Sequence, residues 1–107
     1  MSIAGLEYVR DSGASLVITV DNGIVAIEQS RFAKKIGLDL IITDHHQPLK
    51  GKKPVADVIV HSTLMCGAGV VWCLIRELVD PKLAQQLLQF VAIATVCDMM
   101  PLIGVNR

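Results

Sequence analysis

Apolar residues along this chain fall in short runs divided by turn signals, and the spacing within the runs changes from one segment to the next. Ile3, Leu6 and Val9 recur at helical spacing, which predicts a helix over residues 3–12 that Gly13 ends. Leu16-Val17-Ile18-Thr19-Val20 is a continuous, β-branched run and predicts a strand. Asn22-Gly23 predicts a tight turn into a second helix over about residues 24–36, with Ile24, Ile27, Ala33 and Ile36 as its inner stripe. Lys34 and Lys35 complement its carboxyl end and Gly37 stops it. Residues 40–43 and 58–60 predict two further strands, separated by a Pro- and Lys-rich loop over 47–54. Apolar runs without strict alternation, divided by helices, place the chain in the α/β class: a parallel sheet with helices on both faces.

The second half reads as helical. Gly67-Ala68-Gly69 opens a helix that runs to about residue 78, its glycines permitting close backbone approach. Asp80-Pro81 is an N-cap followed by proline at the first helical position, and starts a last helix carrying Leu83, Leu87, Leu88, Val91 and Ala94. Residues 90–96 are apolar on every side, which predicts burial, and the helix delivers Asp98 close to Pro101. An acid at the end of a buried helix needs a partner.

With 107 residues and 52% hydrophobic content the chain has room for one domain, short for a complete doubly wound fold, so it is expected to be part of something larger. Only 19% of residues are charged, which implies that some of the surface meets another segment or subunit. Ten basic residues balance ten acidic ones, so no general basic footprint marks a nucleic-acid binder. Lys50, Lys52 and Lys53 can touch phosphate, although a solvated loop is the simpler reading. Cys66, Cys73 and Cys97 are odd in number and lack CxxC spacing; they read as reduced core thiols. No apolar run spans a bilayer and no basic secretory start precedes one, which suits a cytoplasmic protein with no membrane partner.

Candidate chemistry sits at the ends of the predicted elements. Thr43-Asp44-His45-His46 follows the second strand, Asp21 follows the first and Asp98 ends the last helix. Carboxyl edges of parallel strands are where open α/β folds hold ligands, and mixed oxygen and nitrogen donors suit manganese, magnesium or zinc. Divalent ions with carboxylates are suited to activating water against a phosphoester. Each residue also has an ordinary reading: Asp21 as a helix cap, the two histidines as loop polars, Asp98 as a helix-end acid.

Four segments taken in order, Val20-Asp21-Asn22-Gly23-Ile24, Thr43-Asp44-His45-His46-Gln47-Pro48, Gly67-Ala68-Gly69-Val70 and Ala94-Thr95-Val96-Cys97-Asp98-Met99-Met100-Pro101-Leu102, resemble successive motifs of the DHH phosphoesterase family. They are similar in particular to its RecJ-type branch, exonucleases that degrade single-stranded DNA from the 5′ end. The resemblance implies a site holding two Mn2+ or Mg2+ ions. Asp21 would bridge them, His45 would bind one, and Asp98 would bind that same ion. Asp44 and His46 would be the catalytic pair, Asp44 orienting the imidazoles and His46 facing the substrate phosphate, while Gly67 and Gly69 would bring helix amides to the substrate.

Departures from the family pattern shape the remaining expectations. The upstream Asp-x-Asp motif and the smaller substrate-binding domain that usually follows are not within residues 1–107, which are therefore expected to form a partial DHH domain. His61 stands where the branch commonly has Asn-Pro, in a shortened connection. Alone, such a chain is expected to bind metal weakly, to be inactive and to self-associate along an unpaired sheet edge. Other family activities (nanoRNase, cyclic-dinucleotide phosphodiesterase, pyrophosphatase) and a non-catalytic binding or scaffold module are the alternatives.

Overall fold

The computed structural model describes residues 1–107. Helix α1 (Ile3–Asp11) leads to strand β1 (Leu16–Val20), helix α2 (Ile27–Lys35) and strand β2 (Asp39–Asp44). Strand β3 (Val58–His61), helices α3 (Gly67–Ile75) and α4 (Pro81–Cys97) and a short 3-10 turn (Gly104–Asn106) complete the chain. Local sequence explains the boundaries. Ser2 Oγ accepts from the Gly5 amide at 3.1 Å to cap α1, and Asp80 accepts from the Lys82 amide at 2.9 Å to cap α4.

The strands form one parallel sheet in the order β1-β2-β3, with Val17 opposite Leu40, Ile42 opposite Ile59 and Asp44 opposite His61. Because all three strands run the same way, Val20, Asp44 and His61 emerge at a common edge. On one face Leu40 and Ile42 are fully buried with Leu6 of α1, Ala33 of α2 and Leu38. Helix α3 packs on the other face, chiefly over β2 and β3, and α4 stacks on α3. Trp72 Nε1 fixes that stack by donating to the Ala84 carbonyl at 2.8 Å. The α/β architecture expected from the sequence is the one found, and no helix is long and apolar enough to cross a membrane.

Several sequence readings require correction. Helix α2 starts at Ile27, three residues later than expected, because Asp21 (φ 59°) and Gly23 (φ 121°) turn the chain and the following residues stay irregular. Helix α3 ends at Ile75, since the chain must leave the helix to present Asp80 in the extended cap conformation that Pro81 requires. The apolar stretch of α4 is not buried: Phe90, Ile93 and Val96 are 58%, 61% and 66% exposed. A three-stranded sheet offers α4 only one neighbour, α3, so just one side of it is covered. Similarly, Cys66 is buried while Cys73 is half-buried and Cys97 exposed, so only one of the three is a core thiol.

Strand β1 is an edge strand, and its outward side chains Leu16, Ile18 and Val20 are about half exposed. Burial therefore differs sharply between neighbouring strands. Leu40→Ala is expected to cost about 2–5 kcal/mol of stability and Ile18→Ala under about 1 kcal/mol. Urea midpoints at unchanged slope check the difference.

Candidate metal centre

Asp21 ends β1 in the left-handed region, which aspartate tolerates better than most residues. This turn does not cap α2, whose N-cap Ala26 makes no side-chain bond. It sends the carboxylate across to the second strand end, where Asp21 Oδ1 lies 3.1 Å from His45 Nε2. Asp98 Oδ2 approaches the same nitrogen at 3.9 Å from the end of α4. That helix closes with the Met99 amide donating to the Val96 carbonyl and the Met100 amide to the Thr95 carbonyl, both at 3.0 Å. Met99 (φ 51°) occupies the left-handed position usually taken by glycine, which fixes Asp98 as the C-cap of the helix. Gly67, first residue of α3, lies against Asp21: a Cβ there would come within 2.5 Å of Asp21 Cγ.

Asp44 is almost wholly buried beneath this cluster and is fully engaged. Its Oδ1 accepts from the His45 amide at 2.8 Å, the His46 amide at 3.1 Å and His46 Nδ1 at 2.7 Å. Its Oδ2 accepts from the Ile24 amide at 2.8 Å, tying the turn after β1 to the turn after β2. Burial opposes ionisation of Asp44, but the hydrogen bonds from Ile24, His46 and His45 together outweigh it and hold the carboxyl below its usual range. His46 is correspondingly pushed up, first by its hydrogen bond to Asp44, which outweighs the opposing effect of burial, and further by the charges of Asp44, Asp21 and Asp98. With Nδ1 committed to Asp44, Nε2 is the nitrogen His46 leaves free.

The donor set fits a divalent ion. Two ligand atoms each about 2.1 Å from one ion, at angles between octahedral and tetrahedral, lie about 3–3.4 Å apart. The 3.1 Å between Asp21 and His45 falls in that interval, and Asp98 stands somewhat farther off, 3.9 Å from the same nitrogen. Ligand atoms of Asp21, His45 and His46 also lie within 4.8 Å of one another. Asp21, Asp44, His45, His46, Gly67 and Asp98 are thus brought together. Gly69 is not directed at the acids, since its Cβ position faces the Met65 side chain at 3.3 Å. Lys50, Lys52 and Lys53 stand exposed on the loop after the histidines.

One contributor was not legible. His61 Nε2 donates to the His46 carbonyl at 2.7 Å, bracing the histidine turn from β3. The sequence signal was faint: β3 is one residue longer than expected, and the parallel register puts His61 beside Asp44.

Comparison with known proteins adds a family and relatives. Residues 3–95 match the DHH family, N-terminal domain. The single-stranded-DNA-specific exonuclease RecJ of Bacillus subtilis (strain 168) is 39% identical over 108 residues, covering 92% of this chain and 14% of that protein. RecJ of Escherichia coli (strain K12) is 34% identical over 126 residues, covering 95% and 22%. The chain therefore spans less than a quarter of the length of these relatives, 14% of one and 22% of the other. The crystal structure of RecJ from Thermus thermophilus in complex with Mn2+ superposes with a TM-score of 0.71 at 33% identity, over 95% of this chain and 17% of that one. A crystal structure of exonuclease RecJ bound to manganese gives a TM-score of 0.71 at 28% identity, over 100% and 30%.

Two expectations follow from this geometry. Gly67→Ala forces the Asp21 carboxylate aside and should weaken Mn2+ binding about 10-fold or more with little change in secondary structure, as read by calorimetric titration and circular dichroism. Asp44→Asn should cost about 1–3 kcal/mol at neutral pH, because a buried acceptor set is broken. Since the folded Asp44 carboxyl sits below its unfolded value, its stabilising effect is present above that unfolded value and lost as pH falls through the folded one. Acid unfolding curves should consequently be shallower for Asp44→Asn than for the unaltered protein.

Proposed function

This chain belongs to the DHH family, and we propose that it is part of a metal-dependent phosphodiesterase, a RecJ-like exonuclease that hydrolyses single-stranded DNA from its 5′ end. The observation that carries this reading is the placement of His45 Nε2 between two carboxylates, 3.1 Å from Asp21 and 3.9 Å from Asp98. In this reading Asp21, His45 and Asp98 would hold Mn2+, or Mg2+ in its place, and Asp21 would also be available to a second ion. Such an ion would supply Lewis acidity and acidify a water for attack on phosphorus.

The chain's own residues do the rest. Asp44 keeps the histidine turn rigid and, by accepting from Nδ1, favours the imidazolium form of His46, which leaves an Nε2–H to donate to a non-bridging phosphate oxygen. Unpaired amides of the first turn of α3, beginning at Gly67, add weaker donors for the same anion. Residues 1–107 are one part of a catalytic domain in this proposal, the remaining metal ligands and most of the strand-binding surface coming from the rest of the protein. The half-exposed β1 edge and the apolar side of α4 are where that remainder, or a second copy of the chain, would pack. A cytoplasmic setting suits both the substrate and the reduced thiols.

A nuclease assay on 5′-labelled single strands with Mn2+ tests the reading. The whole protein should release 5′ nucleotides in a chelator-sensitive reaction that Asp21→Ala or His45→Ala slows by about 100-fold or more. The 107-residue chain alone should remain at background. Undiminished cleavage by both variants would remove the basis for this assignment.

A further inference from the structure

Zero net charge conceals a segregation of charge next to the metal centre. Lys52 and Lys53 line an open depression of about 500 Å³ together with Arg31 of α2. With Lys50 they also line an adjoining depression of about 600 Å³, walled by Ile24 and His61. All four cations are exposed and none forms an ion pair, in contrast to Lys34, which is held by Asp57 at 2.8 Å. Glu28 is the single acid lining either depression.

The loop carrying these lysines is anchored. Pro54 is buried, and the Val55 amide donates to Ser30 Oγ of α2 at 2.9 Å. The wall of the larger depression is also shared with the metal centre: the Ile24 amide bonds Asp44, and His61 Nε2 bonds the His46 carbonyl. Cationic ground therefore begins where the histidine turn ends. An acid cluster by itself repels a polyanion, and Lys50, Lys52, Lys53 and Arg31 offer unpaired positive charge in the depressions on one side of it. No aromatic ring of Phe, Tyr or Trp lines either depression, so stacking and base reading are absent there.

We propose that Lys50, Lys52, Lys53 and Arg31 form a phosphate track that holds the backbone of single-stranded nucleic acid adjacent to the metal centre, independently of sequence. The proposal rests on the phosphodiesterase reading above and adds to it the direction in which the strand leaves the site. Its signature is salt dependence, because each backbone phosphate neutralised on a single strand contributes about 0.7 to the slope of log affinity against log salt.

The test is fluorescence anisotropy of a labelled oligothymidylate against the whole protein without added metal, over a series of salt concentrations. Lys52→Gln/Lys53→Gln should lower the slope by about 1.4 and weaken binding. Lys35→Gln/Lys82→Gln, which removes equal charge from exposed residues outside both depressions, should leave the slope unchanged. Equal slopes for the unaltered protein and Lys52→Gln/Lys53→Gln, or equal losses in both double variants, would overturn the track while leaving the phosphodiesterase reading intact. Absence of both strand binding and manganese-dependent cleavage in the unaltered protein would overturn that reading itself.

Discussion

A buried carboxylate must be ionised and fully hydrogen-bonded or not ionised at all, and Asp44 meets the first condition with four donors. Much else in the site depends on this. Three of those donors belong to the histidine turn and the fourth to the turn after β1, so one side chain sets the relative position of two loops that are distant in sequence. Ile24 is buried as a consequence, the chain stays irregular until Ile27, and the Asp21 carboxylate faces His45 instead of capping α2. Neighbouring backbone amides stabilise the negative charge; a water-filled pocket would leave the loops uncoupled.

Around that point the parallel sheet acts as a ruler. Its register delivers Val20, Asp44 and His61 to one edge, and α4 brings Asp98 to the same edge from the other end of the chain. Packing is uneven across the sheet. The face covered by α1 and α2 is a closed core, whereas the β1 edge and much of α4 present large apolar side chains outward. A surface of that kind is unfavourable in water and is characteristic of faces that meet another piece of protein. The site thus rests on the well-packed half of the molecule and opens beside the uncovered half.

Much of this was legible in the sequence, and the exceptions share a cause. Strand β1 and the general run of α/β elements follow from local apolar patterns, because periodicity is a local property. Asp-His-His after a strand is likewise a local signal. What could not be read locally was tertiary. An all-round apolar segment in α4 suggested burial, but burial depends on what lies opposite, and here only α3 does. The contact of Gly67 with Asp21 and the bond from His61 to the His46 carbonyl span 46 and 15 residues of sequence and leave no periodic trace. The family resemblance implies that Asp44 orients the imidazoles; its bond to the Ile24 amide, 20 residues away, adds the tie to the turn after β1.

The central claim is that Asp21, His45 and Asp98 form a divalent-ion site positioned by Asp44. Anomalous diffraction at the manganese edge, from crystals of the protein grown with Mn2+, tests it most directly. The expected result is a peak about 2.2 Å from both an Asp21 carboxylate oxygen and His45 Nε2, with Asp98 rotated to meet it and Asp44 still bonded to the Ile24 amide. A manganese peak that Asp21 and His45 do not share, or one liganded by Asp44 in place of its backbone partners, would contradict it.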